Sequence, residues 1–192
     1  MLAAALIGLG YLAGSIPFGV LITRWFMGTD VRSAGSGNIG ATNVSRVAGK
    51  KWGVLVLFLD AAKGALPVLV SIAVTGEAWV HAIVGLAAFF GHVFPVWLRF
   101  RGGKGVATAL GVLSVLVPWA ALAGAAAYAL LFAAFRISSI GSLGGGLTAL
   151  GVALASSRSR EYAILTAALF VLILLTHRGN IRRILTKKER SI

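Results

Sequence analysis

No cysteine occurs in the chain, which excludes disulfides, thiolate metal sites and a cysteine nucleophile. Acidic residues are scarce too: Asp and Glu total 5 against 18 Lys and Arg, a formal balance of +13. Charges of both signs make up only 12% of the sequence, where soluble domains average about 25%. What is abundant is apolar, at 58% of residues. A basic surplus alone suits nucleic acid, a membrane surface or small anions. The long apolar runs decide: a nucleic-acid-binding domain carries no succession of lipid-length segments. The expected partner is the lipid bilayer, and no nucleic acid is expected.

Crossing a hydrocarbon core of roughly 30 Å takes about 20 apolar residues. Residues 2–22 carry no charge and lack both the basic lead and the small-residue cleavage site of a secretory signal, so they are read as a retained span. Residues 53–75 and 78–98 follow, joined at Gly76-Glu77, and residues 137–155 and 162–176 come last. Residues 106–135 are uncharged, with Pro118-Trp119 near the middle, and read either as one long helix or as two turning at the proline. The positive-inside rule arbitrates. Two helices place the basic residues from Arg24 to Lys51, those from Arg99 to Lys104, Arg136 and the run from Arg178 to Arg190 on one face, leaving Arg158 and Arg160 opposite. One helix would move Arg136 and the whole terminal run outside.

The sequence therefore predicts an all-α integral membrane protein, a seven-transmembrane-helix bundle forming a single domain over residues 1–192. Its amino terminus lies outside and its carboxyl terminus in the cytosol. Residues 106–117 would span only about 18 Å at about 1.5 Å per residue. They must borrow from residues 102–105 or be shielded by neighbours.

The unusual segments gather on the cytosolic side. Residues 30–46 hold Gly35, Ser36, Gly37, Asn38, Gly40, Thr42, Asn43 and Arg46. Glycines let successive N–H groups converge on an anion, the Ser, Asn and Thr side chains add neutral hydrogen bonds, and Arg46 adds a phosphate fork. An ordinary connector between membrane helices is also rich in Gly, Ser and Asn, but needs fewer polar groups. Gly35-x-Gly37-x-x-Gly40 is not a dinucleotide fingerprint, because no strand precedes it. Asn43-Val-Ser45 is a chance glycosylation match in a cytosolic loop.

Residues 91–108 contain Gly102-Gly103-Lys104-Gly105 ahead of a helix. The spacing is not that of a Walker loop, but a helix start with free N–H groups attracts phosphate. Lys104 is the candidate there, whereas Arg99 and Arg101 read as positive-inside anchors. Ser138, Ser139 and Ser142 cluster at a helix start, suited to capping or to ligand contact, while Gly144–Gly146 suit close helix packing. His177 and Asn180 lie three apart and share a helical face. Arg182, Arg183, Lys187, Lys188 and Arg190 suit contact with anionic headgroups. Asp60 and Lys63, at i, i+3 spacing within a span, neutralise each other as a structural tie or as part of function. His81 reads as interfacial, and His92 as a buried hydrogen-bonding residue in preference to a catalytic one. No His and carboxylate cluster has metal-ligand spacing, so neither a metal nor a cofactor is expected.

Taken together these segments resemble the acyl-phosphate-dependent glycerol-3-phosphate acyltransferases of bacteria, the PlsY type. One family motif reads Gly35-Ser36-Gly37-Asn38-Ile39-Gly40-Ala41-Thr42-Asn43 with Arg46. A second reads Gly91-His92, Phe94-Pro95, Phe100 and Gly102-Gly103-Lys104-Gly105-Val106-Ala107-Thr108. A third reads His177-Arg178 with Asn180-Ile181. Gly14-Ser15-Ile16-Pro17-Phe18-Gly19 and Asp60-x-x-Lys63-Gly64 also match, and the likeness covers nearly the whole chain. It implies transfer of a fatty acyl group from acyl-phosphate to glycerol 3-phosphate, giving lysophosphatidate and inorganic phosphate. That reaction opens bacterial phospholipid synthesis at the inner membrane.

The residues suit that chemistry. Both substrates carry phosphate, and the donor is already activated, so neither a strong nucleophile nor a metal is needed. The His-x-x-x-x-Asp motif of the coenzyme-A-using glycerolipid acyltransferases is absent, since Leu86, Trp97 and Arg182 stand five places after the three histidines. The expected catalytic residues are Ser36, Lys104, His177 and Asn180. Gly37, Asn38, Thr42, Asn43, Arg46, Gly102, Gly103, Gly105 and Ser142 are expected to bind substrate. The hydroxyl proton passes to His177 or to a phosphate oxygen, and no obligate protein partner is inferred. The rival reading is a transporter of a phosphorylated anion, but no convincing inverted repeat or midplane site is present. A non-catalytic scaffold leaves the polar groups without purpose.

Overall fold

The computed structural model describes every residue except Arg158, Arg190 and Ile192. Two charges counted above, Arg158 and Arg190, thus lie outside the described residues. The described chain is helical, without strands: α1 Leu2–Ser15, α2 Phe18–Met27, α3 Ala41–Ala48, α4 Lys50–Val74, α5 Ala78–Val93, α6 Val106–Leu116, α7 Pro118–Phe135, α8 Ser138–Ser156, α9 Arg160–Thr176 and α10 Arg178–Leu185. Contacts divide it into two compact units, Met1–Val112 and Leu113–Ile192.

Two expected spans are interrupted, each at a proline. The segment expected as a helix over residues 2–22 breaks at Ile16-Pro17 and then continues to Met27, ending on left-handed Gly28. Pro17 has no N–H to donate and forces Ile16 into an extended conformation, as residues before proline prefer. The helix expected to reach Leu98 stops at Val93, and Phe94-Pro95 leads into a short 3-10 turn, Val96–Leu98. Pro118 acts as expected, separating α6 from α7 at its first position. By contrast Pro67 is accommodated within an unbroken α4.

Five stretches are long and apolar enough to cross a membrane: Leu2–Met27, Lys50–Val74, Ala78–Leu98, Pro118–Phe135 and Ser138–Ser156. The α9–α10 pair, bent by 60°, makes a sixth when counted as one span. The 11 residues of α6 are too few to cross on length alone. Large apolar side chains project outward along these helices, among them Phe58 at 67% and Leu130 at 72% exposure. Such surfaces belong against lipid rather than water.

Small residues bring the helices together. In the first unit, a methyl group at Gly14 would collide with the Ala88 carbonyl, and one at Gly111 with the Ala61 carbonyl. This lets α1 lie on α5 and α6 on α4. In the second unit, Gly124 and Gly145 approach each other's carbonyls between α7 and α8. In lipid, where apolar burial gives no drive for association, such backbone proximity supplies the packing.

Candidate active site

In the first unit, a small apolar core fixes the polar loop between α2 and α4. Val31, Ile39 and Val44 are buried against Val20, Ile22 and Val56, and Leu98 of the second loop packs on the same core. Gly19 abuts the Ile39 carbonyl, which explains a small residue there in the opening motif. The loop's polar centre is Asn43, 1% exposed. Its amide nitrogen donates to the carbonyls of Val31, Ala34 and Asn38 at 3.0, 3.1 and 2.9 Å. Its oxygen accepts the Ser36 N–H at 2.8 Å. Gly35 has φ +63°, and any side chain there would meet the Asn43 amide oxygen, so geometry demands glycine twice over.

Around that hub, Ser36 and Gly37 are exposed, and Asn38, Thr42 and Arg46 are half-buried. The Asn38 side chain accepts the Gly40 N–H at 2.9 Å and shapes the entry to α3. At the outer edge Asp30 is clamped by Arg32 at 2.7 Å and Arg24 at 2.8 Å. The Arg32 hydrogen bond outweighs burial and holds the Asp30 carboxyl far below the usual carboxylate range. That pair therefore stays ionised at any working pH and neutralises one loop arginine.

The second loop folds back on the end of α5. The N–H groups of Gly102 and Gly103 donate to the Val93 and His92 carbonyls, each at 3.0 Å. Arg99 and Phe100 hold left-handed φ values of 53° and 61°, which cost roughly 1–2 kcal/mol per residue, and the Phe100 N–H is secured on the Pro95 carbonyl at 3.0 Å. Gly105, at φ +84°, lies directly against the buried Phe89 ring. Lys104 is thus half-buried between two glycines pinned to α5, while Arg99 and Arg101 are exposed.

In the second unit His177 is the hinge of the α9–α10 bend and is 2% exposed, with Asn180 at 7%. The His177 Nδ1 lies 2.9 Å from the Ile173 carbonyl. A carbonyl only accepts, so Nδ1 is the donor in this contact. Ser142 donates to the Ser138 carbonyl at 2.9 Å. Glu189 gathers three groups: Ser139 Oγ at 3.1 Å, Asn180 Nδ2 at 2.5 Å and Arg183 Nε at 2.6 Å.

The sequence profile described as Glycerol-3-phosphate acyltransferase matches residues 4–187. The chain belongs to that family. It is 62% identical over 190 residues to the glycerol-3-phosphate acyltransferase of Myxococcus xanthus, covering 98% of this chain and 99% of that one. It is 53% identical to that of Anaeromyxobacter dehalogenans, covering 100% and 98%. A crystal structure of PlsY, an integral membrane glycerol 3-phosphate acyltransferase, in its glycerol 3-phosphate form superposes with a TM-score of 0.95 at 40% identity, covering 100% of this chain and 96% of that one. The lysophosphatidic acid form gives 0.93 at 38% identity, with the same coverage. The chain is therefore a multi-pass membrane enzyme of the acyltransferase class and not a transporter.

Within the first unit the structure supports both expected phosphate-facing loops on shared packing, and within the second it buries His177 and Asn180 together. Sequence reasoning passed over Glu189, whose only signal was its rarity, as one of 5 acidic residues among a basic terminal run. Burial would push its carboxyl up, yet hydrogen bonds from Arg183, Asn180 and Ser139 outweigh this and hold it below the ordinary range. A carboxyl depressed in the folded state adds stability that is present above its unfolded pKa, about 4.3, and lost as pH falls through its folded value. Hydrogen exchange of residues 180–189 is expected to accelerate below about pH 4, and Glu189→Gln is expected to abolish that pH dependence.

Proposed function

We propose that the chain transfers a fatty acyl group from acyl-phosphate to the hydroxyl of glycerol 3-phosphate, yielding lysophosphatidate and inorganic phosphate. It acts as one acyltransferase domain over residues 1–192, facing the cytosol of the bacterial inner membrane. The amino terminus lies outside, and seven crossings, with α6 and α7 as a hairpin, bring the carboxyl terminus inside. The observation that carries this reading is the pair of fixed, glycine-rich loops presenting Ser36, Arg46 and Lys104, a set suited to substrates that both carry phosphate. Likeness to PlsY in its glycerol 3-phosphate and lysophosphatidic acid forms supports the acceptor and the product.

The acceptor oxygen attacks the acyl carbon, the carbon–oxygen bond to phosphate breaks, and phosphate leaves with the bonding pair. Arg46, with the polar groups of Asn38 and Thr42, binds phosphate, while the Gly37 N–H is held by the Ala34 carbonyl at 3.1 Å and shapes the loop. Asn43 acts through the loop it shapes. Lys104 and Ser36 stabilise the negative charge that grows as the bond breaks, while Gly102 and Gly103, whose N–H groups are held by α5 carbonyls, fix the loop that carries Lys104. Asn180, whose amide nitrogen has a second N–H beyond the one given to Glu189, orients the phosphate oxygens, and Ser142 does so only by giving up its bond to the Ser138 carbonyl. The hydroxyl proton goes to the His177 imidazole, which its Nδ1 contact with the Ile173 carbonyl orients.

Purified protein in detergent, without any sealed compartment, is expected to convert labelled glycerol 3-phosphate and acyl-phosphate into labelled lysophosphatidate. No product under conditions where a control enzyme works would defeat the reading. His177→Gln is expected to lower kcat by about 10²–10⁴-fold, the usual contribution of a positioned base. Near-normal turnover would instead assign the proton to a phosphate oxygen of the donor.

A further inference from the structure

The reaction leaves one buried group of charges unused. Lys63 is 4% exposed and Asp60 2% exposed, midway along α4. The Lys63 Nζ lies 2.7 Å from Asp60 Oδ1 and donates to the Ile16 carbonyl at 2.7 Å. It also sits 5.7 Å from the centre of the Phe18 ring. The same Asp60 oxygen is 3.7 Å from His92 Nδ1, an electrostatic contact rather than a hydrogen bond. On the other side of that imidazole lies Gly103, so close that a methyl group there would strike Nε2. The His92 carbonyl also accepts the Gly103 N–H at 3.0 Å.

Stability alone does not account for this arrangement. Removing two charges from water costs several kcal/mol per ion, and well-packed apolar replacements of buried pairs are often as stable. The particular partners point elsewhere. Pro17 breaks an apolar span and takes the Ile16 carbonyl out of the helical ladder, where it accepts the Phe18 N–H at 3.1 Å and the Lys63 ammonium at 2.7 Å. Asp60 neutralises Lys63 and faces His92. His92 in turn is the floor on which Gly103 rests, one residue before Lys104. The contacts thus run without interruption from the α1–α2 break to the Lys104 loop, all within the first unit.

We infer that Asp60, Lys63 and His92 are positioning residues that set the height and direction of Lys104 through Gly103. The inference rests on the phosphate role given to Lys104 above. The test is a double-mutant cycle on purified protein, with initial rates, KM for glycerol 3-phosphate and thermal midpoint measured for each variant. His92→Phe keeps a ring beneath Gly103 and removes its polar atoms. Asp60→Asn/Lys63→Met removes both charges together, so neither ion is stranded. Each is expected to lower kcat about 10–100-fold, the cost of displacing a catalytic group by about an ångström, with KM and thermal midpoint little changed. In the Lys104→Met background each is expected to cost less than about twofold, because residues acting through one group are not additive.

Equal losses in both backgrounds would overturn the inference, as would full activity of the Asp60→Asn/Lys63→Met protein. A loss explained wholly by a lowered thermal midpoint would reduce the network to a structural tie and overturn it too. Wild-type activity of Lys104→Met alone strikes instead at the role of Lys104, a failure visible before the cycle is closed.

Discussion

Lys104→Met is expected to lower kcat by about 10²–10³-fold, the usual cost of deleting one preorganised group that stabilises transition-state charge. Methionine keeps the unbranched stem and its packing, so the substitution deletes little besides the ammonium. The loop is fixed by the Gly102 and Gly103 backbone bonds to α5 and by Gly105 against Phe89. None of these involves the lysine side chain, so the backbone bonds that fix the loop remain in the variant. The loss should fall mainly on kcat, since the departing phosphate gains negative charge as its bond to the acyl carbon breaks. Inorganic phosphate, the second product, should also inhibit the variant less strongly. Lys104→Arg keeps the charge but spreads it over a planar fork of different reach, so partial activity is expected. Retention of more than about a tenth of wild-type kcat by Lys104→Met would show that Ser36 and Arg46, rather than this cation, carry the stabilisation.

Most of the helical layout was legible because lipid imposes a simple rule: a span must be apolar and about 20 residues long. The rule does not register local breaks. Proline effects depend on where neighbouring carbonyls find donors, so Pro67 passes within α4 while Pro17 and Pro95 end helices. Nothing near Pro17 in sequence identifies Lys63, 47 residues away, as a side-chain donor to the Ile16 carbonyl. The glycine-rich loops and the common helical face of His177 and Asn180 were readable, since residue type and spacing carry them directly, whereas their burial was not. Contacts between distant segments were not, as with Glu189 reaching Ser139 across 50 residues. Asp60 and Lys63 stood out at i, i+3, yet their link through His92 to Gly103 exists only once α4 and α5 lie side by side.

Asn43 brings these strands together, because the sequence alone assigns it to substrate while the structure occupies its amide with backbone. Asn43→Ala removes the donor to three loop carbonyls and the acceptor of the Ser36 N–H. Each buried group left unsatisfied costs about 1–3 kcal/mol, so a local loss of several kcal/mol is expected unless water enters the loop. The helices on either side have their own packing, so the damage should stay within residues 30–46. The expected result is fast hydrogen exchange and protease cleavage in that segment, with kcat/KM lowered about 100-fold or more, the loss that roughly 3 kcal/mol implies. Asn43→Asp refines the test: a carboxylate still accepts from Ser36 but donates to none of the three carbonyls. If Asn43 shapes the loop, both variants loosen it, and the aspartate also sets a negative charge against carbonyl oxygens. If Asn43 instead bound substrate directly, the alanine variant would raise KM for glycerol 3-phosphate while residues 30–46 stayed protected. That outcome would return Asn43 to the substrate-binding set and move the shaping of the loop to its apolar core around Val31 and Val44.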